Sequence, residues 1–339
     1  MTTDTILLVG HGSREKSGND EIFAFAEQWR QRQPGWRIEV CFIEFSDITM
    51  SEGLRRAAAG AQQVLVVPLI LNAAGHVKMD IPQAIDGARI KFPNVQFLYA
   101  PHLTACEHIL SILKRRLKGA MQALDMPDPT LTGVVILGRG SSDRQANGEM
   151  AKMARWVMEE TDHELVDLAF TGITYPRLEK AVQRQSLLGM TQVVVLPYYL
   201  FNGTLVERIG RQVANLKAQY PAIRFISTAY FGFEREIFEL LEERVNDLKR
   251  GAPDSLMPCD GCKYRAFGVE NGMGGHHHDD AVPHHHADDH AHGHAHDHAH
   301  DHPHPQVHAV VQIHPQLARQ PAPPQHDHDH PHPHGHTHP

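Results

Sequence analysis

Four residues in the first half of the chain could bind a metal or move a proton, and each stands at or just after the end of an apolar segment. They are His11, Glu44, His76 and His102. Imidazole and carboxylate groups are ligands for divalent ions such as Co²⁺, Ni²⁺, Fe²⁺ and Zn²⁺, and imidazole is a general base near neutral pH. His11, Glu44 and His76 are therefore candidates for a metal-binding or acid–base centre. For His102, a capping or packing role is the more conservative interpretation.

The apolar segments are predicted strands, and segments with helical periodicity lie between them. Strands that alternate with helices predict an α/β fold with a parallel sheet covered on both faces. Ligands bind beyond the carboxyl ends of such strands, so we expect the four polar residues on one rim of the sheet. The predicted strands span residues 6–10, 38–45, 64–71 and 95–100, and the predicted helices span 20–32, 50–60, 77–90 and 103–120.

The same pattern occurs a second time, about 128 residues later. TILLVGHGSR (5–14) matches GVVILGRGSS (133–142), and VLVVPLILNAAGHV (64–77) matches VVVLPYYLFNGTLV (193–206). An internal repeat of this kind indicates a duplicated fold. The predicted helices of the second copy lie near 144–160, 176–186, 204–219 and 234–249.

The second copy lacks the candidate side chains of the first. We align Arg139 with His11, Thr204 with His76, and Ala169 or Phe170 with Glu44. Because only the first copy keeps its histidines, the sequence predicts one active site, with the second copy as its wall or lid.

The predicted fold class is α/β, with two tandem lobes, each a parallel four-stranded sheet flanked by helices, and a disordered tail. Residues 124–132 carry two prolines and two aspartates and are predicted to link the lobes. The predicted segments are a catalytic lobe at 1–123, a degenerate lobe at 132–250, a loop with a C-x-x-C pair at 251–271, and a histidine-rich tail at 272–339.

The tail is histidine interleaved with Asp, Ala, Pro and Gly, and only five of the 28 histidines precede residue 276. Such a composition cannot bury a core, so the tail is predicted to be disordered. We favour a role in storing or delivering metal over a solubility segment, and the interleaving argues against an expression tag. Its candidate metal ligands include His290, His292, His294, His296, His298 and His300.

Composition excludes several functional classes. The net charge of −8 gives no reason to expect a nucleic-acid partner. The start, MTTDTILLVG, has no basic region and no long apolar segment, so neither a signal peptide nor a membrane span is predicted. The four cysteines do not form a disulfide framework, which favours a reducing, cytoplasmic location. The segment HGSREKSGND (11–20) lacks the glycine spacing of nucleotide-binding loops, so nucleotide binding is not favoured.

The rim residues and their neighbours also carry a family pattern. HGSR (11–14) after the first strand, Glu44 after the second and GHVKMDIP (75–82) after the third resemble the CbiX-type class II chelatases, the family of the sirohydrochlorin cobaltochelatases. The resemblance covers about residues 5–245. The chain is similar to the long form of that family in its second lobe, its MPCDGC segment (257–262) and its histidine-rich stretch.

The resemblance implies a lyase that inserts Co²⁺ into sirohydrochlorin in cobalamin biosynthesis, without ATP. It implies that His11 and His76 bind the metal and take protons from the pyrrole nitrogens, assisted by Glu44. Insertion of iron or nickel into the same ring is the closest alternative, because affinity order does not set metal choice. An alternative of another class is a metal carrier or storage protein, which would bind metal without metallating the ring.

A macrocycle with a rim of carboxylates needs basic or N–H-rich groups around it. Arg14, Arg139 and Ser141 are candidates for this role, and simple surface charge is the alternative interpretation. In the second copy, Tyr198, Tyr199 and Phe201 either cover the macrocycle or, as we favour, pack in the core.

The resemblance to the long form also suggests an iron–sulfur cluster. Cys259 and Cys262 supply two thiolates, whereas a cluster needs about four ligands. The remaining ligands would come from a second chain or from Cys106, since Cys41 lies within a predicted strand. Two alternative interpretations of the cysteine pair are a loosely metal-binding pair and thiols without a function. A homodimer is a further open alternative for the chain.

Overall fold

Each half of the chain forms a parallel four-stranded sheet in the computed structural model, which describes residues 4–271. The first sheet has the strand order β2-β1-β3-β4. Its strands are β1 (Asp4–Gly10), β2 (Arg37–Phe42), β3 (Gln63–Pro68) and β4 (Gln96–Tyr99). The helices of this lobe are α1 (Lys16–Arg32), α2 (Met50–Ala58), α3 (Ile81–Lys91) and α4 (Glu107–Gln122), with a π-helical turn over His76–Asp80.

The second sheet repeats this topology, with the order β6-β5-β7-β8. The predicted α/β fold with two tandem lobes is therefore confirmed. The strands of the second lobe are β5 (Thr132–Gly138), β6 (Val166–Phe170), β7 (Gln192–Pro197) and β8 (Arg224–Ser227). Its helices are α5 (Arg144–Glu159), α6 (Leu178–Leu187), α7 (Thr204–Gln219) and α8 (Arg235–Arg250), followed by α9 (Lys263–Glu270).

One continuous core joins the two lobes. Successive side chains of a strand point to opposite faces of its sheet. Ile6 and Leu8 of β1 accordingly belong to the shared core, whereas Leu7 and Val9 belong to a separate core beneath α2 and α3. Helices α1, α4, α5 and α8 fill the space between the sheets, and Phe25 of α1 stacks on Phe238 of α8 with ring centroids 4.0 Å apart. This packing holds the rims of the two sheets in a fixed relation.

The structure corrects several predicted boundaries. Strand β3 ends at Pro68 rather than at residue 71, and α4 begins at Glu107 rather than near 103, so the loops at the rim are longer than expected. Strand β2 ends at Phe42, which places Glu44 in the loop beyond it. Part of the predicted C-x-x-C loop is helix α9, anchored by Arg265 to Asp86. No helix within residues 4–271 has the length and apolar character needed to cross a membrane.

Candidate functional site

Three of the four candidate residues meet where neighbouring strands end. His11 follows β1, Glu44 follows β2 and His76 follows β3. The loops after β1 and β2 stay paired beyond the strands, because the Glu44 amide donates to the His11 carbonyl at 3.1 Å. Gly12 makes this approach possible. Its φ is +93°, and a Cβ there would lie 1.7 Å from the Glu44 carbonyl oxygen.

The three side chains can share one metal ion. One donor atom from each of His11, Glu44 and His76 lies within 4.8 Å of the others, and all three residues are half-buried. The imidazole rings of His11 and His76 meet edge to face, with centroids 4.9 Å apart. The His11 Nδ1 atom lies 3.4 Å from Glu44 Oε1. Small side-chain rotations would close this group around an ion with ligand distances of about 2 Å.

His76 is oriented by a carboxylate that the sequence analysis did not identify. The His76 Nδ1–H donates to Asp80 Oδ2 at 2.6 Å, which leaves the Nε2 lone pair free to face a metal. Both residues lie in the π-helical turn, four residues apart. That spacing in GHVKMDIP was the available signal, since residues four apart share one face of a helix.

The electrostatic surroundings shift the pKa values of His11 and His76 in opposite directions. Burial lowers the pKa of His11, and the nearby Arg139 and His76 add to this effect against the opposing influence of Gly12 and Glu44. The hydrogen bond to Asp80 raises the pKa of His76, against the effect of burial. His11 is therefore the stronger candidate for a neutral imidazole at physiological pH, and His76 is the more basic of the two.

A cavity of about 720 Å³ lies between the lobes, and His11 and His76 form part of its wall. Most of the lining is apolar, and both lobes contribute to it. Tyr198, Tyr199 and Phe201 all line the cavity, and Tyr198 and Phe201 also belong to or pack against the shared core. Tyr198 and Phe201 thus take part in core packing and also face the cavity. Further apolar residues of the lining are Ile22, Leu69, Leu71, Met79, Met150, Ile173, Leu200 and Leu205.

The three candidates for substrate binding have different positions. Arg139 and Ser141 line the cavity, and Arg139 Nη1 lies 3.3 Å from His11 Nε2. The Ser141 amide donates to Asn147 Oδ1 and its hydroxyl accepts from the Asp143 amide, so both groups already have partners. Arg14 is not part of the cavity lining. Its guanidinium lies 5.0 Å from the centroid of the Phe45 ring.

The counterpart of Glu44 in the second lobe is Gly172, and the predicted Ala169 or Phe170 was wrong. The Gly172 amide donates to the Arg139 carbonyl, just as the Glu44 amide donates to the His11 carbonyl. The sequence alignment placed the partner inside β6, because it took Glu44 as the end of a strand. The second lobe thus has arginine, glycine and threonine at the positions of the first lobe's His11, Glu44 and His76.

His102 does not join the other candidates. Both of its ring nitrogens are buried without a hydrogen-bond partner among the described residues, and burial lowers its pKa to about 4. The other two histidines of the globular part, His108 and the buried His163, lie outside the site. His108 Nε2 lies 3.3 Å from Glu243 Oε1 on α8, and His163 contacts Thr161.

The cysteine pair is docked on the first lobe. The Met257 amide donates to the Tyr99 carbonyl, and Asp260 accepts two 2.8 Å hydrogen bonds from Arg89. Burial raises the pKa of Cys259 and so favours the thiol. Within residues 4–271, the only group of three or more potential ligands is His11, Glu44 and His76. The described residues therefore do not complete an iron–sulfur site.

The remaining candidate ligands are two further cysteines and the histidines of the tail. Cys41 is buried in β2, and Cys106 precedes α4 with its thiol 3.6 Å from the Leu103 carbonyl, so neither supplies a third ligand to the pair. The tail histidines, His290 to His300, lie outside the described residues.

Comparison with known proteins gives a consistent family. The family model described as CbiX matches this chain twice, at residues 5–120 and 133–248. The sirohydrochlorin cobaltochelatase of Priestia megaterium is 40% identical over 264 residues, which are 77% of this chain and 84% of the relative. The sirohydrochlorin ferrochelatase of the same organism is 30% identical over 246 residues, which are 72% of this chain and 90% of the relative.

Solved structures show the same relationship. SirB from Bacillus subtilis with Fe3+ has a TM-score of 0.63 and 29% identity, over 73% of this chain and 95% of that one. The sirohydrochlorin chelatase SirB from Bacillus subtilis subspecies spizizenii in complex with cobalt has a TM-score of 0.61 and 27% identity, over 74% and 97%. The chain therefore belongs to the CbiX family, with two tandem copies of the family's domain.

Proposed function

We propose that this protein is a sirohydrochlorin cobaltochelatase, which inserts Co²⁺ into the macrocycle without ATP as a step in cobalamin biosynthesis. The observation that carries the proposal is the meeting of His11, Glu44 and His76 beside an apolar cavity between the lobes, which His11 and His76 line. The relative at 40% identity has the same activity in its name.

His11, Glu44 and His76 are proposed to bind the incoming Co²⁺. Two imidazole nitrogens and a carboxylate oxygen replace part of its water shell and leave positions open for the ring nitrogens. Asp80 fixes the ring of His76 and makes its Nε2 a better donor, as carboxylates behind metal-binding histidines do.

The same nitrogen atoms are proposed to take up the protons that the reaction releases. The macrocycle loses two pyrrole N–H protons when it receives one Co²⁺, so charge is conserved. As the ion moves from an imidazole to the ring, the imidazole lone pair becomes free and can accept a proton from a pyrrole nitrogen. The lowered pKa of His11 helps it to start the reaction unprotonated.

The cavity suits a flat ring with an anionic rim. Its volume of about 720 Å³ lies within the usual range for ligand sites. Apolar side chains of both lobes would contact the faces of the ring. Arg139 and the backbone amides of Gly140 and Ser142 would contact its carboxylates.

The tail and the cysteine pair are not required for this chemistry. We propose that the tail, including His290 to His300, binds exchangeable metal ions and supplies them to the site. Cys259 and Cys262 would supply only two of the about four ligands that an iron–sulfur cluster needs, and no step of the proposed reaction uses the pair.

The test is metal insertion by the purified protein. Sirohydrochlorin is mixed with the protein and with Co²⁺, Fe²⁺ or Ni²⁺ separately, and metallation is followed by absorbance. A cobaltochelatase accelerates Co²⁺ insertion over many turnovers, whereas a ferrochelatase favours Fe²⁺. A carrier binds metal without metallating the ring, and that result would refute the proposal. His108→Ala serves as a control, because it removes a histidine outside the site.

A further inference from the structure

Arg139 contacts one of the two ring nitrogens of His11 that could bind a metal ion. Its Nη1 donates a 3.3 Å hydrogen bond to His11 Nε2. A guanidinium group can only donate hydrogen bonds, so Nε2 must be the acceptor and must carry the lone pair. The proton of a neutral His11 then resides on Nδ1, which lies 3.2 Å from the Gly12 carbonyl oxygen and 3.4 Å from Glu44 Oε1.

This arrangement excludes a metal ion from both nitrogens of His11, because Nδ1 carries the proton and Nε2 faces the guanidinium of Arg139. An ion bound to Nε2 lies about 2 Å from it, in the space between that nitrogen and the guanidinium. Arg139 also carries the permanent positive charge of a guanidinium group, and it would repel the ion. Arg139 must therefore move before His11 can bind Co²⁺.

Arg139 is well placed to move. It follows β5 at the rim of the second lobe, its side chain is exposed, and it lines the cavity. No carboxylate within the described part of the chain forms an ion pair with it. A carboxylate entering the cavity would offer a paired, charge-assisted hydrogen bond, which is stronger than the single bond to a neutral imidazole.

We propose that Arg139 keeps His11 closed to metal until a carboxylate of the macrocycle draws the guanidinium away. This inference deepens the proposed function and rests on it. The macrocycle binds first and uncovers His11 Nε2, and Co²⁺ then binds to His11, Glu44 and His76 directly beside the ring. Arg139 of the second lobe, at the position equivalent to His11 of the first, thus sets the order in which the macrocycle and the metal bind.

Metal binding without macrocycle gives the first test. Full-length wild-type, Arg139→Gln and Lys152→Gln proteins are titrated with Co²⁺ alone. The titration of the matching protein that also carries His76→Ala is subtracted, because it retains the ions bound by the tail. Arg139→Gln is expected to bind Co²⁺ at the site about tenfold more tightly or better. Lys152→Gln removes an exposed charge that lies over Trp156 and should match the wild type.

Isotope trapping gives the second test. Each protein is incubated with radioactive Co²⁺ and then mixed with sirohydrochlorin and a large excess of unlabelled Co²⁺. Because both proteins carry the same tail-bound ions, Arg139→Gln should place more label in its first turnover than the wild type does. Equal site affinity in wild type and Arg139→Gln, or equal trapping by both, would overturn the inference.

The two proposals can fail separately. Absence of any metallated product would refute the proposed function, while the Co²⁺ titrations would still report whether Arg139 covers His11. Normal metallation with equal titrations would retain the chelatase and reject the ordering role. A thermal melting curve for each variant checks that the fold is intact.

Discussion

Replacing Asp80 with Asn tests whether a carboxylate behind His76 sets its affinity for metal. Asp80 accepts a 2.6 Å hydrogen bond from His76, and the two side chains are 32% and 37% exposed. A hydrogen bond to a charged partner contributes about 1.5–3 kcal/mol when buried. Solvent screening reduces this to about 1.4 kcal/mol, or roughly tenfold in binding. We therefore expect Asp80→Asn to raise the Co²⁺ concentration for half-maximal rate about tenfold at pH 8.

The pH dependence of this defect follows from the same hydrogen bond. Asp80 raises the pKa of His76, so the wild-type imidazole is lost to protonation as pH falls through that raised value. Without the carboxylate, protonation occurs at lower pH. The ratio of wild-type to Asp80→Asn activity should therefore be largest at high pH and shrink on acidification.

The assay is the initial rate of metallation against free Co²⁺ at pH 8 and pH 6, for wild type, Asp80→Asn and Glu27→Gln. Glu27 is an exposed acid paired with Arg30 on α1. Its substitution should change neither the maximal rate nor the Co²⁺ concentration for half-maximal rate. A Co²⁺ dependence of Asp80→Asn that matches the wild type at both pH values would refute this role of Asp80.

Four other changes have defined outcomes. His11→Ala or His76→Ala should lower cobalt insertion more than about tenfold with the fold intact; near-normal rates would remove them from the mechanism. Arg139→Ala should raise the KM for sirohydrochlorin more than it lowers kcat, which titration of the macrocycle checks. Gly12→Ala should displace Glu44 and reduce activity, because the added Cβ meets the Glu44 carbonyl; normal activity would contradict this. Truncation after residue 271 should remove several bound Co²⁺ ions per chain and slow the reaction only when metal is scarce. Equal metal stoichiometry in the truncated and full-length proteins would show that the tail does not store metal.

The sequence predicted the fold and the meeting of His11, Glu44 and His76, because both follow from strand order. Residues that follow adjacent parallel strands must share a rim, and the repeat gave the second lobe. His102 follows an edge strand, and that rule could not show that the loop turns its ring into the protein.

Features that depend on packing between the lobes were not predictable from patterns. Arg139 aligns with His11 in the sequence, but nothing in the alignment shows that it reaches the His11 ring. The sequence shows that Asp80 lies four residues after His76. Only the structure shows that the π-helical turn brings the two side chains into contact. Gly172 was missed as the partner of Glu44 because two loop residues beyond β2 were counted as strand.

The central claim is that this chain catalyses metal insertion at His11, Glu44 and His76. The most direct measurement is the yield of cobalt-sirohydrochlorin per enzyme when the macrocycle is in large excess, for wild type and for His11→Ala. Our account predicts many product molecules per wild-type chain and more than about tenfold fewer in the same time for His11→Ala. Formation of at most one product per chain, or equal yields from both proteins, would contradict it.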